Sequence, residues 1–393
     1  MPTLHDVIGE TGIFTDGNWI LSENMDANGK YGVIQLKHVG VGEFLGRKEF
    51  NFISEKTFKS LDCTEVLPGD VLISRMADPI GRACIVPELP FPCITVVDVT
   101  IVRIDKNIAD AHFVMNFCNS DTMRNQINRA VRGTTRERIT RTELGQLTIP
   151  LPSLPEQQRI AAILQKADRL RRLRRYARQI SDGYLQSVFL EMFGDPKKNP
   201  KEYGLVKLGD LMSFMTSGSR GWAEHYCDKG AIFLRVQNVG ANRLLLDDVA
   251  YVQPPDSAES RRTRVKSGDL LISATADIGR TGVIPDNFPV AFINQHLFLI
   301  RLKYFNPVFV AGYFSTPSGK AQILQSDSEG VKSGLNFDDA KGLTIFNVPL
   351  EEQEHFASVF QRYEHLRNQQ SESIRQAENL FQSLLKKAFQ GEL

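Results

Sequence analysis

The chain has 393 residues, 42% of them hydrophobic and 24% charged, which is enough for two or three domains that each bury a proper core. No apolar run approaches 18 residues, so no membrane-spanning helix is expected. A formal net charge of +1 leaves partners open until the placement of the charge is considered.

The start, MPTLHDVIGE, has neither a basic nor an apolar leader segment, and secretion is not expected. Residues 1–150 have the pattern of a mixed α/β domain. Tyr31 to Val39 alternates like a strand, and Val66 to Val86 predicts strand, turn and strand, punctuated by Pro68-Gly69 and by Pro79 with Gly81. Helical spacing from Asp110 to Arg132 stops at Gly133-Thr134-Thr135. That broken end is basic, with Arg129, Arg132, Arg136, Arg138 and Arg141 close together.

From Leu151 to Phe193 the apolar residues Ile160, Ile163, Ala167, Leu170, Leu173, Ala177, Ile180, Tyr184 and Val188 recur at steps of three and four, the seam of a long packed helix. Pro152 and Pro155 can precede that helix but not interrupt it, so it should begin near Pro155. About 36 residues at ~1.5 Å each would make it roughly 54 Å long, and a helix of that length needs a partner. Six arginines, Arg169, Arg171, Arg172, Arg174, Arg175 and Arg178, are read first as a solvated face of this helix.

The partner lies in the same sequence. Residues 343–389 align with 147–193 without a gap at a shift of 196, and a polar Gly- and Pro-rich linker, Gly194 to Gly204, separates the halves. The hairpin GDVLIS at Gly69 recurs as GDLLIS at Gly268, and Leu234 to Gly240 repeats Ile34 to Gly40. Residues 328–343 take the place of 131–147, so Lys332, Ser333 and Asn336 stand where the basic loop stood. The order is globule, helix, globule, helix.

Enzyme chemistry finds little support. Gly40-Val41-Gly42 follows a strand, but Leu45 stands where a dinucleotide loop needs glycine, and Ser318-Gly319-Lys320 lacks the upstream glycine of a phosphate loop. No methyltransferase or nuclease motif is present. The five cysteines form no CxxC pair and the seven histidines are scattered, so we expect reduced core thiols in a cytoplasmic protein, with no metal, no cofactor and no catalytic residue.

With its doubled IPLPSLPEQQRIAAIL and IFNVPLEEQEHFASVF blocks, its two GDxLIS hairpins and the Gly133-Thr134-Thr135 stretch, the whole chain resembles the specificity subunit of type I restriction-modification enzymes. The resemblance implies an α+β fold. Two mixed α/β target recognition domains, at 1–150 and 197–346, would be separated by two long antiparallel coiled-coil helices at 151–196 and 347–393, with an internal pseudo-two-fold repeat. It implies a non-catalytic reader of double-stranded DNA. Each globule would read one half of a bipartite asymmetric site, and the helices would set the spacing. Two DNA adenine methyltransferase subunits would dock on those helices, through Gln157, Arg171, Gln353 and Arg367, and motor-nuclease restriction subunits would join them. A diverged DNA-modifying enzyme, or a coiled-coil scaffold without DNA binding, is the alternative.

Arginine can contact phosphate and read guanine N7 and O6 bidentately, and a glycine break lets backbone N–H groups approach a phosphate. Arg75, Arg129, Arg132, Gly133, Thr134, Thr135, Arg136 and Arg138 are therefore the candidate DNA surface of the first globule. Lys332, Ser333 and Asn336 are the candidates of the second, with Arg220, Arg235, Arg261, Arg262 and Arg264 as further suspects. Arg75 faces Ala274 at matched hairpin positions, which suits two readers of different sequence. Arg82 and Arg280 match each other, which suits a shared structural or phosphate role.

Overall fold

The computed structural model describes residues 1–46, 50–76, 79–131, 137–218, 220–326 and 334–393. By contact they divide into two units, Met1–Arg175 with Glu372–Leu393, and Tyr176–Ser371. The fold is α+β.

The first unit holds strands β1 (Ile13–Asp16), β2 (Tyr31–Ile34), β3 (Asn51–Ile53), β4 (Val71–Ser74), β5 (Ala83–Ile85), β6 (Cys93–Thr95) and β7 (Val99–Arg103). Its helices are α1 (Glu55–Ser60), α2 (Ala111–Cys118), α3 (Asp121–Ala130), α4 (Arg141–Gln146) and the first part of α5 (Leu154–Ser181). An antiparallel sheet runs β1-β7-β4-β5, and a smaller sheet runs β3-β2-β6 with β2 and β6 parallel. Successive strand residues point to opposite faces. Val71, Ile73 and Val102 accordingly pack under Phe113, Met123, Ile160 and Leu164, while Leu72, Cys84 and Ile101 join Ile34 and Val39 on the other side. The helical stretch expected at 110–132 is two helices, because Ser120 caps a new start by accepting from the Met123 N–H.

The second unit repeats this plan. After α6 (Tyr184–Phe193) come β8 (Leu205–Lys207), α7 (Leu208–Leu211), β9 (Met212–Ser217), β10 (Tyr226–Cys227), β11 (Ala231–Leu234), β12 (Ala250–Val252) and α8 (Ala258–Thr263). Then follow β13 (Leu270–Ser273), β14 (Thr281–Val283), β15 (Ala291–Ile293), β16 (Leu297–Leu302), α9 (Pro307–Ser315), α10 (Pro317–Ser326), α11 (Phe337–Gly342), β17 (Thr344–Phe346) and α12 (Leu350–Gln390). The sheet β14-β13-β16-β9 matches β5-β4-β7-β1 of the first unit, and β12-β11-β15, extended by β10, matches β3-β2-β6, again with the last pair parallel.

The aspartate of each GDxLIS hairpin explains why that motif recurs. Asp70 accepts from the Leu67 N–H (2.8 Å) and from Arg103 Nε and Nη2 (2.8 and 2.7 Å); Asp269 accepts from the Lys266 N–H (2.7 Å) and from the same two nitrogens of Arg301 (2.8 and 3.1 Å). Each glycine before it has a positive φ, +92° at Gly69 and +78° at Gly268, where a side chain would strain the turn.

The first long helix differs from expectation. It stops at Ser181 and resumes at Tyr184, with Asp182 and Gly183 as a turn. Glycine loses the most backbone freedom in a helix, and a Cβ added at Gly183 would meet nothing within 4 Å. The second long helix has Asn379 at the matching position and runs unbroken for 41 residues.

Within each unit the segments of the two long helices run antiparallel. In the first, Arg159 reaches the Leu393 carbonyl oxygen and Arg171 reaches Glu378. In the second, Asp182 meets Arg367, the Tyr184 and Tyr363 rings stack 5.6 Å apart, and Phe189 lies 5.3 Å from Phe356. The ends are the most apolar part: Phe389 packs on Phe113 and Phe117, and Phe193 packs on Phe309. Much of the expected seam faces outward instead, since Leu170, Leu173, Ile180, Leu366 and Leu380 are exposed.

Candidate nucleic-acid interface

The two regions singled out in the first globule converge. Beyond β4 the chain enters the hairpin turn, and there the Arg75 carbonyl oxygen accepts from the Ile139 N–H at 3.1 Å while Met76 bridges to Arg138 in antiparallel fashion. On its other edge, Gly81 sits so close to Ile127 of α3 that a Cβ would come within 2.1 Å of the Ile127 side chain. The segment at Arg138 and Ile139 and the helix α3 thus both lie against the hairpin turn. Arg129, Arg138 and Arg141 are exposed there. Arg132, Gly133, Thr134, Thr135 and Arg136 lie outside the described residues.

The second globule has the same junction with different side chains. The Ala274 carbonyl oxygen accepts from the Leu335 N–H at 2.8 Å, matching Arg75 and Ile139. Thr275 Oγ1 and His296 Nδ1 are 2.6 Å apart, and Gln295 Nε2 lies 2.9 Å from His296 Nε2, so this end carries a threonine, a glutamine and a histidine where the first carries arginines. Sequence reasoning passed over Gln295 and His296 because neither belongs to a charge cluster or motif. Asn336 is exposed and caps α11, its Oδ1 accepting from the Asp338 and Asp339 N–H groups (2.9 Å each). Lys332 and Ser333 lie outside the described residues. Arg220, Arg261 and Arg264 are exposed, whereas Arg262 donates to Thr216 Oγ1 and the Ser217 carbonyl oxygen, and Arg235 pairs with Asp248.

Arg75, a candidate for DNA contact, lies inside the first globule. It is 3% exposed, its Nε lies 3.0 Å from Asp16, its Nη2 lies 3.4 Å from Asp98, and its Nη1 donates to the Ile139 carbonyl oxygen at 3.0 Å. A guanidinium held in that way is committed within its own globule, where it ties together the ends of β1, β4 and β7. Arg82 and Arg280 have the shared structural role. Arg82 donates to the carbonyl oxygens of Val39 and Leu36 (2.7 and 3.1 Å), and Arg280 donates to that of Val239 (3.3 Å).

The four helix residues assigned to partner docking have their polar groups occupied within their own unit. Gln157 and Gln353 are 0% and 1% exposed. Gln157 Oε1 accepts from the Asp110 N–H (3.0 Å) and its Nε2 donates to the Pro152 carbonyl oxygen (2.9 Å). Gln353 does the same with the Asn306 N–H (2.8 Å) and the Val348 carbonyl oxygen (2.7 Å). Each glutamine therefore fixes the start of its long helix to the start of the helix after the sheet. Arg171 pairs with Glu378 (2.9 Å) and Arg367 with Asp182 (3.2 Å), both nearly buried.

The arginine run is also less solvated than expected. Arg172 donates to Asp168 and to the Gly42 carbonyl oxygen and pairs with Glu43, Arg174 donates to the Ser373 carbonyl oxygen, Arg175 pairs with Glu378, and Arg178 reaches Ser371. Only Arg169 among the six faces out without one of these contacts.

The five cysteines are free thiols, four of them buried, and burial pushes Cys84, Cys93 and Cys118 up to about 12. Among the described residues no helix is long and apolar enough to cross a membrane.

Residues 8–179 match the family model of the type I restriction modification DNA specificity domain. The chain is 23% identical over 399 aligned residues to the EcoKI type I restriction enzyme specificity subunit of Escherichia coli strain K12, covering 92% of this chain and 82% of that one. In fold it is similar to a chain from a structural study of the assembly and conformational transition of a type I restriction-modification system, with a TM-score of 0.59 at 20% identity and coverage of 98% and 99%. It is also similar to the S subunit from M. genitalium, with a TM-score of 0.57 at 15% identity and coverage of 98% and 95%.

Proposed function

We infer that this chain, by sequence and fold a specificity subunit of the type I restriction-modification kind, reads a bipartite asymmetric DNA site with one globule on each half and carries no catalytic group of its own. The observation that carries this is the doubled junction of hairpin turn and loop stem: the same backbone hydrogen bond, Ile139 to Arg75 and Leu335 to Ala274, holds two surfaces of unlike chemistry. A duplicated scaffold with divergent side chains is what unequal half-sites require. Exposed arginines beside the first junction suit phosphate contact and guanine readout, and the Thr275, Gln295 and His296 group beside the second suits other base edges.

In this proposal the globules at 1–150 and 197–346 are the target recognition domains, and the helices at 151–196 and 347–393 set the spacing between the half-sites. The helices also dock two DNA adenine methyltransferase subunits, to which motor-nuclease subunits add. Exposed apolar residues support two equivalent docking faces. Leu170 and Leu380 in the first unit are the repeat counterparts of Leu366 and Tyr184 in the second, and all four are exposed. In the second unit Ile180, Tyr184, Val359, Tyr363 and Leu366 line a groove of about 760 Å³. Docking would then run through these apolar side chains, with Gln157, Arg171, Gln353 and Arg367 acting through the packing behind them.

Mapping methylated adenines in the source genome tests the proposal. A motif of two unlike half-sites with a fixed gap, lost when this chain is deleted, is the expected result; a continuous or palindromic motif, or one that survives deletion, would overturn it.

A further inference from the structure

We propose that Trp19 is a DNA-contacting residue of the first globule, its indole face laid against base edges and sugars in a groove, and that Arg220 takes the matching place in the second. This rests on the proposed function above, and specifically on the sheet end with the hairpin turn being the face turned to DNA.

Trp19 is 67% exposed, although tryptophan is one of the largest apolar side chains and the only other one in the chain, Trp222, is buried against Phe233 and Phe292. The residue before Trp19, Asn18, is firmly held. The Asn18 N–H donates to the Thr95 carbonyl oxygen (3.0 Å), the Asn18 carbonyl oxygen accepts from the Val97 N–H (2.9 Å), and Asn18 Nδ2 donates to the Leu61 carbonyl oxygen (2.7 Å). Gly17 approaches Thr95 so closely that a Cβ would lie 2.2 Å from its carbonyl oxygen. A large apolar side chain presented to solvent from a rigid base loses little freedom when a partner covers it, the condition for a strong contact.

Position supplies the second argument. Trp19 follows β1, whose last residue Asp16 pairs with Arg75, and the Arg75 carbonyl oxygen accepts from the N–H of Ile139, the residue after Arg138. Trp19 thus leaves β1 at the end of the sheet where Arg75 holds the segment that carries Arg138. In the second globule Ser217 pairs with Phe298 as Asp16 pairs with Thr100, which sets Gly218 opposite Gly17 and Arg220 opposite Trp19. Arg220 is exposed as well. Apolar side chains touch thymine methyl groups, sugars and base faces, while arginine reads guanine or seeks phosphate, so the pair gives matched positions different preferences.

The test uses the full chain, labelled with 5-hydroxytryptophan, assembled with unlabelled methyltransferase subunits and excited where ordinary tryptophan does not absorb. Anisotropy of a dye-labelled duplex reports binding independently. The expected result is that the cognate duplex shields the quencher-accessible emission, that this component is missing in Trp19→Phe, and that Trp19→Ala weakens cognate binding roughly tenfold without lowering the melting temperature. If the duplex binds while the Trp19 emission stays as accessible as before, the inference is overturned and the proposed function stands. If the assembled complex binds no duplex at all, both are overturned.

Discussion

Arg171 and Glu378 belong to different long helices of the first unit and meet at 2.9 Å, with the Arg171 guanidinium also stacked 3.8 Å from the centre of the Phe381 ring. The repeat counterpart of this pair, Arg367 with Asp182, closes the second unit at 3.2 Å. The duplication thus kept a nearly buried arginine in each unit, facing Glu378 of a helix in the first and Asp182 of the turn after α5 in the second. Removing one partner leaves a charge without its counterion in a poorly solvated place.

Glu378→Gln should therefore destabilise the first unit by about 1–3 kcal/mol at neutral pH, a range reduced for the partial exposure of the pair. Burial pushes the Glu378 carboxyl up, but the hydrogen bond from Gln382 and the charges of Arg171 and Arg175 outweigh it and hold the carboxyl below the ordinary glutamate range. A carboxylate lowered in the folded state stabilises above its unfolded value and loses that contribution as pH falls through the folded one. The melting-temperature gap between wild type and Glu378→Gln should be full at neutral pH and close as acid carries the solution below the ordinary glutamate range. A gap that persists unchanged in acid would contradict this.

Gln157→Ala and Gln353→Ala should each cost about 1–3 kcal/mol, because each strands a buried backbone N–H, that of Asp110 or of Asn306. Hydrogen exchange should quicken at α2 in the first variant and at α9 in the second. Normal stability combined with lost methyltransferase binding would instead restore these glutamines as direct partner contacts.

Arg75→Ala and Arg138→Ala should separate folding from recognition. The first leaves Asp16 and Asp98 without their cation and should lower the melting temperature of the first globule. The second removes an exposed side chain and should leave stability within about 0.5 kcal/mol. Thermal unfolding of the two variants side by side decides it; equal stability of both would return Arg75 to the list of DNA contacts.

Much of the fold was legible because its signals are local and doubled. Pro155-Glu156-Gln157 and Glu351-Glu352-Gln353 at the starts of the two long helices, the GDxLIS turns and the 196-residue shift each imply the same two-part plan. What the sequence misled on depended on partners distant along the chain. Arg75 resembles a reader until Asp16 and Asp98 are brought to it, and the arginine run resembles a solvated face until Glu378 and Ser371 arrive from the other helix. Gln157 and Gln353 answer to backbone N–H groups, which no residue code displays. The break at Gly183 was read through because the apolar spacing continues across it.

The isolated chain should bind DNA weakly and with little sequence preference. Its formal charge of +1 gives a small nonspecific electrostatic attraction, so the proposed methyltransferase partners must supply much of the affinity. Binding titrations at several salt concentrations, with and without those subunits, test it. Tight sequence-specific binding by the chain alone in moderate salt would count against it.

Modular readout is tested most directly by adenine methylation with the assembled complex carrying Arg132→Ala, Arg136→Ala or Arg138→Ala singly, on duplexes altered base by base in each half-site. A lost bidentate arginine–guanine contact costs about 1–3 kcal/mol of discrimination at one base pair, whereas a lost phosphate contact weakens all sequences alike. The expected result is relaxed or abolished recognition in one half-site with base preference in the other half unchanged. Altered preference in both halves equally, or in neither, would contradict it and move the reader from the loop around Gly133 to the Gly69 to Pro87 hairpin.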